Sequence, residues 1–239
     1  MEPPLPGLPL RDPVAALTHI VTSLFGVYVT LLFWRLARGD RTKRLSLACF
    51  GVSMVVLYAA SGLYHAVLLP YHSPALEVLR RLDHSAIFLL IAGTYTPVFA
   101  VLMTGRRRGA YLAAMWLLTC AGIALKWLMP SWSIRWSIAI YLALGWIGLL
   151  PLPALWQALG WRGVLWAFVG GLFYTAGAVC ELTHWPVLIP GYVAWHEVFH
   201  MCDMAGTGAH IVLMLGFVLP YRRPADAAGA DALLAGEAA

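Results

Sequence analysis

Residues 195–219 read WHEVFHMCDMAGTGAHIVLMLGFVL, an apolar stretch of membrane-spanning length that carries several ionisable side chains near its start. A helical span needs about 20 predominantly apolar residues. His196 and His200 are four residues apart, so their imidazoles lie on one helical face, about 6 Å apart along the axis. Asp203 returns to within about 20° of the His196 face. The stretch therefore predicts a membrane helix with a polar stripe that contains candidate metal ligands.

The whole chain has the composition of a membrane protein. Of its 239 residues, 61% are hydrophobic and 11% are charged, and the mean hydropathy is +0.77. Soluble domains carry about 25% charged residues, so this chain lacks the polar surface that they need. Long unbroken apolar runs favour helices over a β-barrel. The net charge of +5 resides in loops, where lipid headgroups and topology account for it, so we expect no nucleic-acid partner.

Seven stretches have the length of a transmembrane helix, and charged or turn-forming residues separate them. They cover residues 14–34, 46–69, 83–103, 110–129, 136–156, 164–183 and 193–219. The predicted fold class is all-α, an integral membrane bundle of seven transmembrane helices. Residues 1–13 are expected to form an N-terminal segment, 14–220 the transmembrane domain and 221–239 a disordered tail. Pro151 and Pro153 are expected to end or kink the fifth helix.

A second polar pair lies near the end of the second stretch, and an acid begins the third. Ser61 and His65 are four residues apart on one face, and Asp83 is predicted to cap the third helix. These two helices form a hairpin, so all three side chains are expected at the membrane face where His196 and His200 lie. Three histidines with an open fourth position are a catalytic Zn²⁺ geometry. The alternative is a polar network that ties helices two, three and seven together.

These residues resemble the haemolysin III family, within the larger group of progestin and adipoQ receptors. The matching motifs are SGLYH at 61–65, LDHSAI at 82–87 with IAGTYTP at 91–97, and WHEVFH at 195–200. A fainter match is the pair TH at 18–19. The resemblance covers essentially the whole region of the seven helices, with the three motifs in order.

The resemblance implies roles for individual residues and a function. His65, His196 and His200 match the family's three zinc-binding histidines. Asp83 matches an acid that positions water beside the metal, and Ser61 matches a serine next to it. Adiponectin receptors resemble alkaline ceramidases at these positions and are regarded as lipid amide hydrolases. The implied function is zinc-dependent hydrolysis of an amide or ester bond in an acyl-bearing membrane lipid, at the cell membrane and in lipid homeostasis.

Asp203 departs from the family pattern, in which apolar residues usually follow the position of His200. We hypothesise that Asp203 orients a ligand imidazole, with direct proton transfer as the alternative. Two other functions stay open beside the hydrolase. One is a receptor or sensor in which zinc is structural, and the other is a pore-forming cytolysin, as the family name suggests.

Two arguments disagree about membrane orientation. Most of the 16 Lys and Arg residues lie in the C-terminal tail and in the loops after helices one, three and five. The positive-inside rule would therefore place the N-terminus outside. The resemblance implies the opposite, with the N-terminus inside and the zinc site near the cytoplasmic leaflet, and we give it the greater weight.

Overall fold

A computed structural model describes residues 10–129 and 133–223, and most of the predicted disordered tail lies outside them. Within these residues the chain forms seven α-helices. They are α1 Pro13–Leu36, α2 Arg41–Ala66, α3 Pro74–Leu102, α4 Gly105–Leu128, α5 Ile134–Ile147, α6 Leu152–Thr183 and α7 Trp195–Leu213, which continues through a π-helical turn, Met214–Val218. Six are long and apolar enough to cross a membrane, and α5, with 14 residues, is shorter. The predicted all-α membrane bundle is confirmed.

Helices that follow each other in sequence pack as neighbours. The most extensive contacts join α1 to α2, α2 to α3, and α6 to α7, while α7 also touches α1. Large buried side chains such as Phe33, Phe50, Tyr58 and Phe99 fill the interior. Much of the outer surface is apolar as well, and Leu117, for example, is 69% exposed. Such a surface is stable in lipid rather than in water, as expected of a multi-pass membrane protein.

The third helix begins at Pro74, well before the predicted start at residue 83. The Ser73 hydroxyl caps this helix by accepting a hydrogen bond from the backbone N–H of Leu76. Pro74 suits the first turn, because the backbone N–H that proline lacks would have no partner there. Arg80 forms two hydrogen bonds with Glu77, of 2.8 and 2.9 Å, so the charged segment is part of the helix. The prediction that Asp83 caps this helix is wrong, because Asp83 is buried inside it.

The boundary between the fifth and sixth helices also differs from the predicted one. The fifth helix, predicted over 136–156, ends at Ile147, and α6 begins directly after Pro151. The expected break at this proline is confirmed. The predicted loop over 157–163 is wrong, because these residues belong to α6 and are interrupted only by a bend at Gly160, where φ is 65°. A positive φ suits glycine, which has no Cβ to clash.

The residues just before α1 are attached to the end of α2. The backbone N–H groups of Arg11 and Asp12 donate to the carbonyl oxygens of Ala66 and His65, at 3.4 and 3.0 Å. These bonds fix the start of the first helix against the end of the second. The side chain of Asp12 is thereby brought to the same end of the bundle as the His65 imidazole.

Candidate metal centre

Three histidine side chains from α2 and α7 meet at one end of the bundle. The Nε2 atom of His65 lies 3.4 Å from that of His196 and 3.3 Å from that of His200. The two histidines of α7 have their Nε2 atoms 3.1 Å apart. His65 and His200 are buried, and His196 is half-buried. The structure thus brings the three predicted ligands together in a group that could hold a metal ion.

The spacing of these three nitrogens fits a tetrahedral zinc ion. Imidazole nitrogens bind zinc at about 2.0–2.1 Å, so two of them at a tetrahedral angle lie about 3.3 Å apart. The observed separations run from 3.1 to 3.4 Å. A cation among the three nitrogens would also offset the repulsion of lone pairs that face one another. The donor set and its dimensions therefore suit zinc.

Carboxylates hold two of the imidazoles in the tautomer that a metal ligand needs. Nδ1 of His65 lies 2.8 Å from a carboxylate oxygen of Asp12, and Nδ1 of His196 lies 3.0 Å from one of Glu181. An imidazole that donates its Nδ1–H keeps Nε2 free for a metal. Burial raises the pKa of Asp12, but hydrogen bonds from His65 and Arg11 outweigh burial and hold this pKa below its ordinary value. Asp12 is therefore a carboxylate at neutral pH.

Neither of these carboxylates was predicted at the centre from the sequence. Glu181 carries the stronger signal, because an ionisable residue inside a membrane span usually faces the bundle interior. Asp12 precedes the first span, where an acid is readily explained as a helix cap. Its side chain makes no capping hydrogen bond and turns to His65 instead. Both residues act on the centre through the tertiary packing of their helices.

Asp83 and Ser61 approach the histidine centre from α3 and α2. Both side chains are buried, and both line the cavity that contains the three histidines. Asp83 lies beside Ser61 and close enough to His196 to interact with it electrostatically. The Ser61 hydroxyl has no partner with hydrogen-bonding geometry in the part of the chain that the structure describes. Buried hydroxyls are usually paired, so Ser61 is available to a ligand.

Asp203 lines the same cavity at a deeper level. Its side chain lies next to the hydroxyl of Tyr58. The Nδ1 hydrogen bonds of His65 and His196 go to other carboxylates. The structure therefore places Asp203 below the histidine centre rather than behind either of those two imidazoles.

A cavity of about 640 Å³ extends from the histidine centre into the bundle. Apolar side chains form much of its wall, among them Leu57, Ile87, Leu90, Ile138 and Leu142. A concave apolar space with a few polar groups placed together is typical of a small-molecule site. Here the polar groups include the three histidines, and the apolar wall offers room for a hydrocarbon chain.

Comparison with known proteins agrees with the motifs. A family model described as haemolysin-III related matches residues 9–211. Hemolysin-3 of Bacillus cereus is 31% identical over 208 residues, which cover 86% of this chain and 90% of that protein. The Hemolysin-3 homolog of Bacillus subtilis (strain 168) is 31% identical over 191 residues, covering 79% of this chain and 87% of that protein.

Proposed function

Since the chain belongs to the haemolysin III family, we propose that its histidine centre makes it a zinc-dependent hydrolase of an amide or ester bond in a lipid of the cell membrane. One observation carries the proposal. Three Nε2 atoms converge within 3.4 Å of one another, with carboxylates behind two of the rings, at the end of a largely apolar cavity. This combination suits a metal site that acts on a long-chain substrate.

The three histidines would bind the metal, and two carboxylates would hold the rings in place. Zinc supplies Lewis-acid polarisation of a carbonyl group and activation of water at neutral pH. Asp12 and Glu181 keep the imidazoles of His65 and His196 oriented through their Nδ1 atoms. Catalytic zinc sites usually have three protein ligands and structural sites four. A site with three histidines therefore favours catalysis.

Asp83 is the proposed general base and acid. Its buried carboxylate would take a proton from the attacking water and return it to the leaving nitrogen or oxygen, a role that requires contact with both. Ser61 would donate a hydrogen bond to the carbonyl oxygen as negative charge develops on it. The absence of another partner for the Ser61 hydroxyl within the described residues supports this role.

The proposed substrate is a membrane lipid that carries an acyl chain. The exposed apolar side chains of the bundle would face lipid, so the protein lies in the same membrane as such a substrate. The apolar wall would hold the acyl chain while its carbonyl group lies at the three histidines. A role in membrane lipid homeostasis follows from this chemistry as part of the proposal.

Metal analysis and lipid hydrolysis on the same purified protein test the proposal. We expect about one zinc ion per chain and release of fatty acid from a panel of N-acyl and O-acyl lipids. His196→Ala should lose both properties. His72→Ala, which removes an exposed imidazole from the loop between α2 and α3, should keep both. Wild-type protein that contains zinc but cleaves no lipid of the panel would contradict the hydrolase and favour a sensor with structural zinc.

The names of the two Bacillus relatives support membrane lysis as a second candidate function. A water-filled pore needs polar groups along its whole length, whereas much of this cavity has apolar walls. Dye leakage from lipid vesicles distinguishes the candidates. Leakage that is equal for wild-type protein and His196→Ala would favour lysis over hydrolysis.

A further inference from the structure

The helices that build the metal centre carry a second set of polar side chains, seven positions further into the bundle. Asp12, just before α1, is paired in this way with His19 in α1. The other pairs are His65 with Tyr58 in α2, Glu181 with Tyr174 in α6, and His196 with Asp203 in α7. Seven residues make nearly two turns and advance a helix by about 10 Å. Each second residue therefore lies below the first on the same face. We call His19, Tyr58, Tyr174 and Asp203 the inner polar set.

Hydroxyl groups join three helices at this level. Thr207 Oγ1 lies 2.7 Å from the Tyr58 hydroxyl and 2.9 Å from the Tyr174 hydroxyl. The Tyr58 hydroxyl also lies next to the Asp203 carboxylate. The three hydroxyl groups therefore form one continuous row across α2, α7 and α6.

Two members of the inner polar set retain unused hydrogen-bonding capacity. A carboxylate can accept about four hydrogen bonds, and the neighbouring Tyr58 hydroxyl can supply at most one of them to Asp203. No ion pair involves Asp203 in residues 10–129 and 133–223. His19 is 2% exposed, and neither of its ring nitrogens has a hydrogen-bond partner in the same residues. Buried polar groups are nearly always paired, so the unpaired ring of His19, close to the cavity that Asp203 also lines, points to a ligand.

The side chains of His19 and Asp203 border space that a ligand can occupy. Both His19 and Asp203 line the cavity that begins at the histidine centre. The His19 ring contacts residues of both levels, with its centroid 4.1 Å from that of His200 and 5.0 Å from that of Tyr58. A ligand that starts at the metal centre and runs down the cavity therefore passes His19 before or as it reaches Asp203.

The chemistry of the two unused groups selects a hydroxyl. A neutral imidazole offers one N–H donor and one acceptor nitrogen. A hydroxyl can donate to Asp203 and accept from the His19 N–H at the same time. An ammonium group cannot accept, an ether oxygen cannot donate, and a methylene does neither. Of these groups, only a hydroxyl complements both side chains.

We propose that the inner polar set is a second subsite, which binds a hydroxyl group on the acyl chain of the lipid about 10 Å from the carbonyl group. The inference rests on the proposed function, which places that carbonyl at the three histidines. It adds a substrate class, lipids with a hydroxylated acyl chain. Asp203 and His19 determine this specificity, and the catalytic groups lie one level above them.

Competitive binding of fatty acids to the purified, zinc-containing full chain in lipid nanodiscs tests the inference. The competitors are octadecanoic acids with one hydroxyl at successive chain positions, measured against labelled octadecanoic acid. Binding should be tightest when the hydroxyl lies about 10 Å from the carboxyl group, by about tenfold over the unsubstituted acid, the size expected of one hydrogen bond to a charged acceptor. Methoxy acids, which cannot donate, should show no such maximum.

Two variants show whether the inner polar set causes the preference. Asp203→Asn keeps an oxygen that accepts a hydrogen bond but loses the charge, so it should shrink the maximum and still bind unsubstituted octadecanoic acid like the wild type. Tyr58→Phe should lower the maximum and provides the test if Asp203→Asn does not fold. Tyr28→Phe makes the same chemical change at a tyrosine that is 60% exposed on α1, and it should keep the full preference. A maximum of undiminished height in Asp203→Asn would overturn the inference.

This binding measurement needs no turnover, so it separates the inference from the proposed function. Wild-type protein that prefers one hydroxyl position but cleaves no lipid would refute the hydrolase and support the subsite. Wild-type protein that cleaves lipids and shows a flat position profile would refute the subsite alone.

Discussion

The metal centre and the inner polar set lie on the same helices at the same spacing, but they differ in how their polar groups are paired. At the metal centre, two imidazoles donate to carboxylates, at 2.8 and 3.0 Å, and direct their other nitrogens to one point. In the inner polar set, His19 has no described partner and Asp203 has capacity to spare. The protein itself thus holds the metal centre rigid, whereas a ligand completes the inner polar set.

Removal of zinc should have the largest effect, because the hydrolysis proposed for the metal centre depends on it. Dialysis of the purified protein against a chelator is expected to abolish lipid hydrolysis, and added zinc is expected to restore it. Fatty acid release is measured before and after each step. Hydrolysis that survives complete zinc removal, verified by metal analysis, would show that the three histidines serve another purpose.

Asp83→Asn should have the next largest effect. The amide cannot accept a proton, so kcat is expected to fall by about 10²–10⁴-fold with unchanged zinc content. Single-turnover hydrolysis and metal analysis on one preparation measure both quantities. If kcat stayed at the wild-type value, Asp83 would not be the base.

Substitutions of Glu181 and Asp203 should distinguish the metal centre from the inner polar set. Glu181→Gln is expected to weaken zinc binding by about 10–100-fold, because the amide orients His196 less firmly. Asp203→Asn, one level deeper, should leave zinc affinity unchanged and reduce the hydrolysis of hydroxylated lipids. Competition with a zinc-binding dye measures both affinities. Equal losses of zinc affinity would mean that Asp203 supports a ligand histidine and that the two levels form one site.

The smallest effect is expected at the far end of the hydroxyl row. Tyr174→Phe removes one hydrogen bond to Thr207 and should lower the free energy of unfolding by about 1 kcal/mol. It should weaken the preference for a hydroxylated chain less than Asp203→Asn does, since Tyr174 acts through Thr207. Chemical denaturation and the competition series measure these changes. A loss of preference as large as that in Asp203→Asn would indicate direct contact between Tyr174 and the ligand.

The histidines could be predicted from sequence because their signal is local. A polar pair four residues apart in an apolar helix is visible in one segment, and His196 with His200 is such a pair. Glu181 belongs to α6 and Asp12 to the segment before α1, and no spacing within α7 or α2 specifies which part of the chain packs against them. Their roles follow from the contacts of α1 with α2 and of α6 with α7.

The helix boundaries show a second limit of sequence reasoning. Hydropathy indicates where a helix lies in lipid, but a helix continues as far as its caps and side-chain pairs allow. Ser73 and the Glu77–Arg80 pair extend α3 beyond its apolar part. For this reason Asp83 is an interior residue of a helix that it was expected to begin.

The short segment before α1 gives the amino terminus an unusual importance for anyone who expresses or edits this protein. Asp12 is tied to His65 through both its backbone and its carboxylate. A purification tag fused close to Arg11, or proteolytic trimming past it, would loosen the imidazole of His65, one of the three proposed metal ligands. Affinity tags are therefore better placed away from this segment.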